Sequence, residues 1–156
     1  MWLDGSTVGL TTPDENIDGM ETDGSTWPIV SLSGKGKVPM WLAPGQLTVD
    51  DSDLIRLVSG GWIRDFVGAE HSLTTPGENI GDFHYVPGSR ILRFHTTGPF
   101  QVPGATGETI SGRSNTILTC NNFGGCAASV FNVIRDPRLS ERTIDAFDMI
   151  PASPTG

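Results

Sequence analysis

The sequence predicts an all-β fold, a β-sandwich or barrel built from two similar units with extended terminal arms. Two observations on composition support this prediction. Of the 156 residues, 20 are Gly and 11 are Pro, and only 37% are apolar. The apolar segments are short and repeatedly end at Gly or Pro, a pattern typical of strands and turns rather than of long helices. The length suits one domain, and we expect a single β-rich domain over residues 1–156.

The third observation is an internal repeat. The segment Leu10–Ile17 (LTTPDENI) recurs as Leu73–Ile80 (LTTPGENI), at an offset of 63 because 73 − 10 = 63. The alternative is a turn sequence used twice by coincidence, since Thr before Pro is held extended and Pro and Asn favour turns. Weaker matches at an offset of 62 pair Ile29 with Ile91, Leu32 with Phe94 and Ile55 with Ile117.

These matches favour a duplication. They place the first repeat at about residues 1–63, the second at about 64–126, and a distinct C-terminal segment at 127–156. Two units are too few for a solenoid, so we expect one pseudo-symmetric domain.

Local pattern predicts the individual elements. Residues 50–58 combine acids with a following apolar run and predict a short helix, although their repeat partner 114–119 predicts a strand. A second short helix is predicted from residue 140 toward 149. In residues 92–95 the alternation places Leu92 and Phe94 inside and Arg93 and His95 outside. Strands are predicted at 27–33, 38–42, 62–67, 83–86, 91–95, 100–102, 116–120 and 129–134.

The tryptophans and the chain ends indicate where the protein contacts partners. Trp27 and Trp62 lie inside strand patterns and are expected in the core. Trp2 and Trp41 are expected at an interface, because one is near a terminus and the other lies between prolines. The ends, residues 1–9 and 151–156, are expected to be arms that become ordered on neighbouring subunits. The predicted interface residues are therefore Trp2, Leu3, Trp41, Met149 and Ile150.

One segment matches the opening of a calcium loop. Asp14, Asn16 and Asp18 place oxygen ligands at alternate positions, and a glycine follows. The twelfth position is Ser25 rather than the usual glutamate, and no flanking helices are predicted. A Ca²⁺ site at these three residues is the only cofactor that the sequence suggests, and the alternative is a polar turn.

The sequence predicts no catalytic centre. It has no nucleophile elbow, no zinc-protease motif and no dinucleotide-binding motif, and His71, His84 and His95 are not spaced as metal ligands. Cys120 and Cys126 are close enough for a disulfide. Because no secretory signal is recognisable, we expect two reduced thiols.

Charge and hydropathy exclude further classes of partner. Ten basic against eighteen acidic residues give a net charge of −8, which disfavours binding to nucleic acid or to an anionic membrane. No apolar segment is long enough to span a bilayer as a helix. We therefore expect a protein partner, in a virion or otherwise in a cytoplasm.

The composition and the arm-like ends resemble those of phage virion accessory proteins, such as capsid decoration (cement) proteins and small tail or fibre modules. The resemblance implies a non-enzymatic structural protein that forms a homo-oligomer and binds a shell protein. Two alternatives belong to other classes. A carbohydrate-binding β-sandwich requires coplanar aromatic rings on one exposed face, and a small hydrolase requires one of the histidines to converge with an acid in a cleft.

Overall fold

The fold is mainly β and contains short 3-10 helices but no long helix among the residues that the structure describes. The computed structural model describes residues 3–22, 26–86, 89, 91–104, 107–114, 116–121 and 125–126. The 3-10 helices are Gly5–Val8, Pro13–Glu15 and Gly68–His71. The strands are β1 (Ile17–Glu21), β2 (Ile29–Leu32), β3 (Gly36–Pro39), β4 (Gln46–Val49), β5 (Leu54–Val58), β6 (Gly61–Phe66), β7 (Ile80–Tyr85), β8 (Ile91–Thr96), β9 (Phe100–Pro103), β10 (Thr109–Gly112), β11 (Ile117–Asn121) and β12 (Gly125–Cys126).

The strands form four antiparallel sheets. One four-stranded sheet has the order β1-β2-β5-β6, with the hairpin β3–β4 inserted between β2 and β5. The other has the order β7-β8-β11-β12, with the hairpin β9–β10 inserted between β8 and β11. Within the described part of the chain, no sheet closes into a barrel.

Two clusters of buried side chains form the core. The larger cluster joins the two halves of the chain, because it contains Ile29, Leu54 and Phe66 from the first sheet together with Leu92 and Phe94 from the second. The smaller cluster lies between the first sheet and its hairpin. It contains Val30, Leu32, Val38, Val49, Ile55, Leu57 and Trp62. The first sheet is thus covered on both faces, which explains why all four residues of β2 are buried.

The two LTTP segments make matching turns. The carboxylate of Glu15 accepts the backbone N–H groups of Thr11 and Thr12 at 2.6 and 2.8 Å and that of Lys37 in β3 at 3.1 Å. The carboxylate of Glu78 accepts Thr74 N–H, Thr75 N–H and, from β9, Gln101 N–H at 2.8, 2.7 and 3.1 Å. Each buried glutamate therefore ties its turn to the hairpin of its own half.

The predicted helix over residues 50–58 is wrong. The backbone carbonyl of Asp50 accepts the N–H of Asp53 in a tight turn. The apolar run that follows this turn is β5. The Asp53 carboxylate also bonds Asp50 N–H and Gly68 N–H, so the acids stabilise a turn rather than a helix N-terminus.

Two predicted positions of aromatic side chains are also wrong. Trp27 precedes β2 rather than lying in it, and it is 38% exposed, whereas Trp62 is in the core as predicted. His95 is buried rather than outward. Its Nε2 accepts the N–H of Asp82, and its ring packs on Gly81, where a Cβ would lie 2.6 Å from the imidazole.

Cys120 and Cys126 form a disulfide, contrary to the expected pair of thiols. The two residues are directly opposite in the antiparallel register of β11 and β12, which brings their side chains together. The expectation of two thiols rested on the lack of a recognisable secretory signal, which says nothing about this register. The predicted strand at 129–134 and the predicted helix toward 149 lie outside the described residues.

Candidate interaction surface

The loop of the first hairpin carries a run of apolar side chains at the surface. It joins β3 to β4, and we call residues 40–44, Met-Trp-Leu-Ala-Pro, the apolar tip. Met40 is 39% exposed and Leu42 is 81% exposed. Trp41 is half-buried, and Ala43 and Pro44 are exposed. Clustered apolar side chains that remain in water mark an interaction site more often than isolated ones do.

Backbone contacts hold the apolar tip against the edge of the first sheet. The N–H of Met40 donates to Gly45 O at 3.2 Å, and that of Trp41 donates to Trp62 O at 3.1 Å. Met40 also forms a parallel bridge with Trp62. Gly61 permits this approach, because a Cβ there would lie 2.7 Å from the Trp41 backbone. The apolar tip is therefore seated on β6.

Leu42 combines exposure with backbone strain. Its φ is +60°, in the left-handed region that side chains other than Gly, Asn and Asp rarely adopt. Such a conformation costs on the order of 1–3 kcal/mol. Burial of a leucine side chain would contribute a free energy of roughly 1.5–3 kcal/mol that an exposed leucine lacks. Among the described residues, burial of the Leu42 side chain offsets neither cost.

The second hairpin offers an internal comparison. Its loop, residues 104–108, reads Gly-Ala-Thr-Gly-Glu and contains no large apolar side chain. Gly104 N–H donates to Glu108 O at 2.6 Å, and Gly107 takes the positive φ of +90°. In the described part of this loop the left-handed conformation lies at a glycine, which adopts it without strain.

The structure describes two of the five predicted interface residues. Trp41 belongs to the apolar tip. Leu3 packs partly against the smaller core cluster, as do Val8 and Leu10, and Val8 O accepts the indole N–H of Trp62 at 2.7 Å. The expectation of an extended arm is therefore wrong for residues 3–9, because apolar residues near the start of the chain have a core of their own to cover. Trp2, Met149 and Ile150 lie outside the described residues.

The predicted calcium segment does not form one continuous loop. Asp14 lies in a 3-10 helix and Asp18 lies in β1, with Asn16 between them, and all three are exposed. Partial desolvation by neighbouring groups nevertheless raises the pKa of the Asp18 carboxyl. Among the described residues, no group of three or more His, Cys, Asp or Glu side chains is placed to hold a metal ion. A Ca²⁺ site at these residues stays a prediction.

The three histidines have different surroundings. His71 is buried and stacks on Phe66 with ring centroids 4.4 Å apart, and desolvation lowers its pKa. His84 Nδ1 lies 2.7 Å from a carboxylate oxygen of Glu21, whose second oxygen accepts Tyr85 N–H. Burial is the main cause that raises the pKa of Glu21. This side-chain contact between Glu21 of β1 and His84 of β7 was not predicted, because the two residues are 63 positions apart and neither belongs to a motif.

A second polar network lies beside it. The Tyr85 hydroxyl donates to Asp65 at 2.5 Å, and Asp65 forms a largely buried ion pair with Arg56 at 2.8 Å. The Ser31 hydroxyl donates to Gly81 O at 3.0 Å. These contacts connect the first sheet to β7 and account for polar side chains at the junction of the two halves. The ring pairs Phe66–His71, Phe66–Phe94 and Phe83–Tyr85 all involve buried rings.

No protein-family model, curated protein or solved structure matches this chain. The described residues define a mainly-β protein with an exposed apolar loop, the apolar tip. No helix in the described part of the chain is long and apolar enough to cross a membrane.

Proposed function

We propose that this chain is a non-enzymatic structural protein of a virus particle, a capsid decoration protein or a small tail or fibre protein. It binds a shell protein and further copies of itself through the apolar tip. The observation that carries the proposal is Leu42, which is 81% exposed in a strained backbone conformation on a loop seated against β6. A rigid, preorganised apolar anchor loses little freedom when it binds.

We also propose that the domain is a pseudo-symmetric β-sandwich made by duplication of a unit of about 63 residues. Three observations support this. The two four-stranded sheets have the same strand order with a hairpin inserted at the same place. Glu15 and Glu78 accept matching sets of backbone N–H groups. The larger core cluster contains side chains from both sheets.

The composition supports the location in a particle. A net charge of −8 keeps the surface away from nucleic acid, which suits a protein that assembles on the outside of a shell. Eighteen acidic residues against ten basic ones also favour solubility, because added Asp and Glu raise solubility more than added Lys and Arg do.

The proposal is tested by the native mass of the chain, alone and mixed with a candidate shell protein. Leu42→Ser should abolish the mixed complex and leave the thermal unfolding midpoint unchanged or higher. Gln46→Ser, which changes an exposed side chain on the same hairpin outside the apolar tip, is the matched control. If Leu42→Ser binds the shell protein as the control does, the apolar tip is not the binding surface.

A small hydrolase is the second candidate, favoured by the contact of His84 with Glu21. A carboxylate that orients an imidazole is one part of the arrangement by which a general base is set up. If this is the function, His84→Gln abolishes hydrolysis of a panel of simple ester and glycoside substrates while Leu42→Ser retains it. Hydrolysis that depends on His84 would replace the structural proposal, and its absence from the wild type would remove the hydrolase.

A further inference from the structure

A groove lies at the edge of the first sheet opposite to the apolar tip. It is a cavity of about 300 Å³ lined by Leu3, Met20, Glu21, Thr22 and Pro28. Its walls are mainly aliphatic and thioether groups, and Met20 is 55% exposed. We call this cavity the Met20 groove. Its chemistry fits an uncharged apolar side chain better than a polar ligand.

The apolar tip of a chain cannot fill the Met20 groove of the same chain. The groove is formed by β1, whereas the apolar tip is seated on β6, and these are the two edge strands of the sheet. Two hydrogen-bonded strands separate them, so the edges are about 14 Å apart at a strand spacing of about 4.8 Å. An apolar projection and an apolar cavity thus lie on opposite edges of one rigid sheet.

The charges beside the two surfaces are complementary. Residues 33–49, which form the hairpin, include Lys35 and Lys37 and no acidic residue, although the chain as a whole carries −8. Lys35 pairs with Asp50 at 2.9 Å, and Lys37 is exposed. The strand that borders the groove contains no basic residue and two acids: Asp18, which is exposed, and Glu21, which is already paired with His84. Lys37 on the hairpin and Asp18 on β1 are therefore the exposed groups of opposite charge that would attract each other between two copies.

We propose that the apolar tip of one copy inserts Leu42 into the Met20 groove of a second copy. This deepens and rests on the proposed function, since it names a copy of the same chain as one partner of the apolar tip. The contact is heterologous, because a different surface is used on each partner. Repetition of it produces a ring if the rotation closes and a filament if it does not, both of which suit a shell or tail component.

The test uses two variants that each remove one side of the contact. Leu42→Asp removes the projection and keeps the groove, and Met20→Asp removes the groove and keeps the projection. Sedimentation velocity over a concentration series should show higher oligomers for the wild type and monomers for each variant alone. An equimolar mixture of the two variants should form a one-to-one dimer and nothing larger, because one intact contact remains. Each variant should weaken self-association by about 30-fold or more.

Controls separate this contact from other effects. Gln46→Ser should assemble as the wild type does, and circular dichroism should show that both aspartate variants keep the β fold. Lys37→Glu should weaken assembly most at low salt, since screening reduces the charge effect.

Self-association that survives Met20→Asp, or a mixture of variants that stays monomeric, overturns the proposal. If the wild type is itself monomeric while Leu42→Asp still loses a shell protein, the self-contact is wrong and only the binding of a shell protein by the apolar tip stands. If Leu42→Asp changes neither self-association nor shell binding, both are wrong.

Discussion

Removing the charge of Glu78 should destabilise the domain by an amount that the hydrogen bonds allow us to work out. One carboxylate oxygen accepts Thr74 N–H and Thr75 N–H, and the other accepts Gln101 N–H. In Glu78→Gln one oxygen becomes an NH₂ group that cannot accept. At least one of the three part-buried, charge-assisted bonds is then lost, which costs about 1.5–3 kcal/mol. For a domain of this size the melting temperature should fall by about 3–12 °C.

The effect of Glu78→Gln should depend on pH. Burial alone raises the pKa of Glu78, but the N–H groups that bond its carboxylate outweigh burial and hold the pKa below the ordinary value of 4.5. The stability contributed by the carboxylate is therefore present above pH 4.5 and is lost as the pH falls through the lower folded-state pKa. The difference between wild type and Glu78→Gln should be full at pH 7 and should shrink toward pH 3.

Urea denaturation at pH 7 and pH 3 measures both quantities. Glu70→Gln is the matched control, since Glu70 is exposed and its substitution should change the free energy of unfolding by no more than about 0.5 kcal/mol. Glu15→Gln should behave as Glu78→Gln does, because it removes the equivalent bonds in the first half. The reasoning is refuted if Glu78→Gln matches Glu70→Gln at pH 7, or if its effect is equally large at pH 3.

Four further predictions concern other parts of the molecule. Trp62→Phe removes the indole bond to Val8 O and should lower the free energy of unfolding by about 1–3 kcal/mol. Deletion of residues 1–9 should also lower the urea midpoint, because Leu3 and Val8 pack against the smaller core cluster. An unchanged midpoint would restore the prediction of a terminal arm. Burial, then a bond to Asp50, raises the pKa of Asp51 to about 6, so this group contributes stability that is present below 3.8 and lost as the pH rises through about 6. Asp51→Asn should flatten the pH profile of the urea midpoint between pH 4 and 6, and an identical profile for the two proteins would contradict this. Calorimetry with millimolar Ca²⁺ should give heat that Asp14→Ala/Asp18→Ala abolishes, and no heat from the wild type would remove the calcium site.

The sequence predicted the fold class where local pattern is decisive. Short apolar runs that end at Gly or Pro located β2, β6, β8, β9 and β11 to within a few residues. It failed where contacts between residues distant in the sequence decide the local structure. The acids before Leu54 resemble a helix start, yet Asp53 bonds Gly68, fifteen residues away, and the segment becomes a turn and a strand. β1, β4 and β10 were not predicted, because their residues are too polar or too few to show alternation.

The interface residues predicted from the sequence overlap the candidate surface at Trp41, and their role at an interface stays a prediction. Trp41 was assigned to an interface from its position between prolines, and it belongs to the apolar tip. The sequence did not single out Leu42, because a positive φ at a leucine follows from the register of the hairpin and not from residue type. Nor did it place Met20 beside Leu3, since their contact with one cavity depends on how residues 3–10 pack across the first sheet.

The most direct test of the central claim is a photo-crosslink from position 42. Leu42 is replaced by a diazirine analogue of leucine, and chains labelled with ¹⁴N and ¹⁵N are mixed, assembled and irradiated before mass spectrometry of the peptides. If the apolar tip is an intermolecular anchor, the crosslinked peptides join position 42 to a second molecule, either a shell protein or the segment around Met20 of a differently labelled chain. Crosslinks found only within single chains, or only to solvent, would contradict the account.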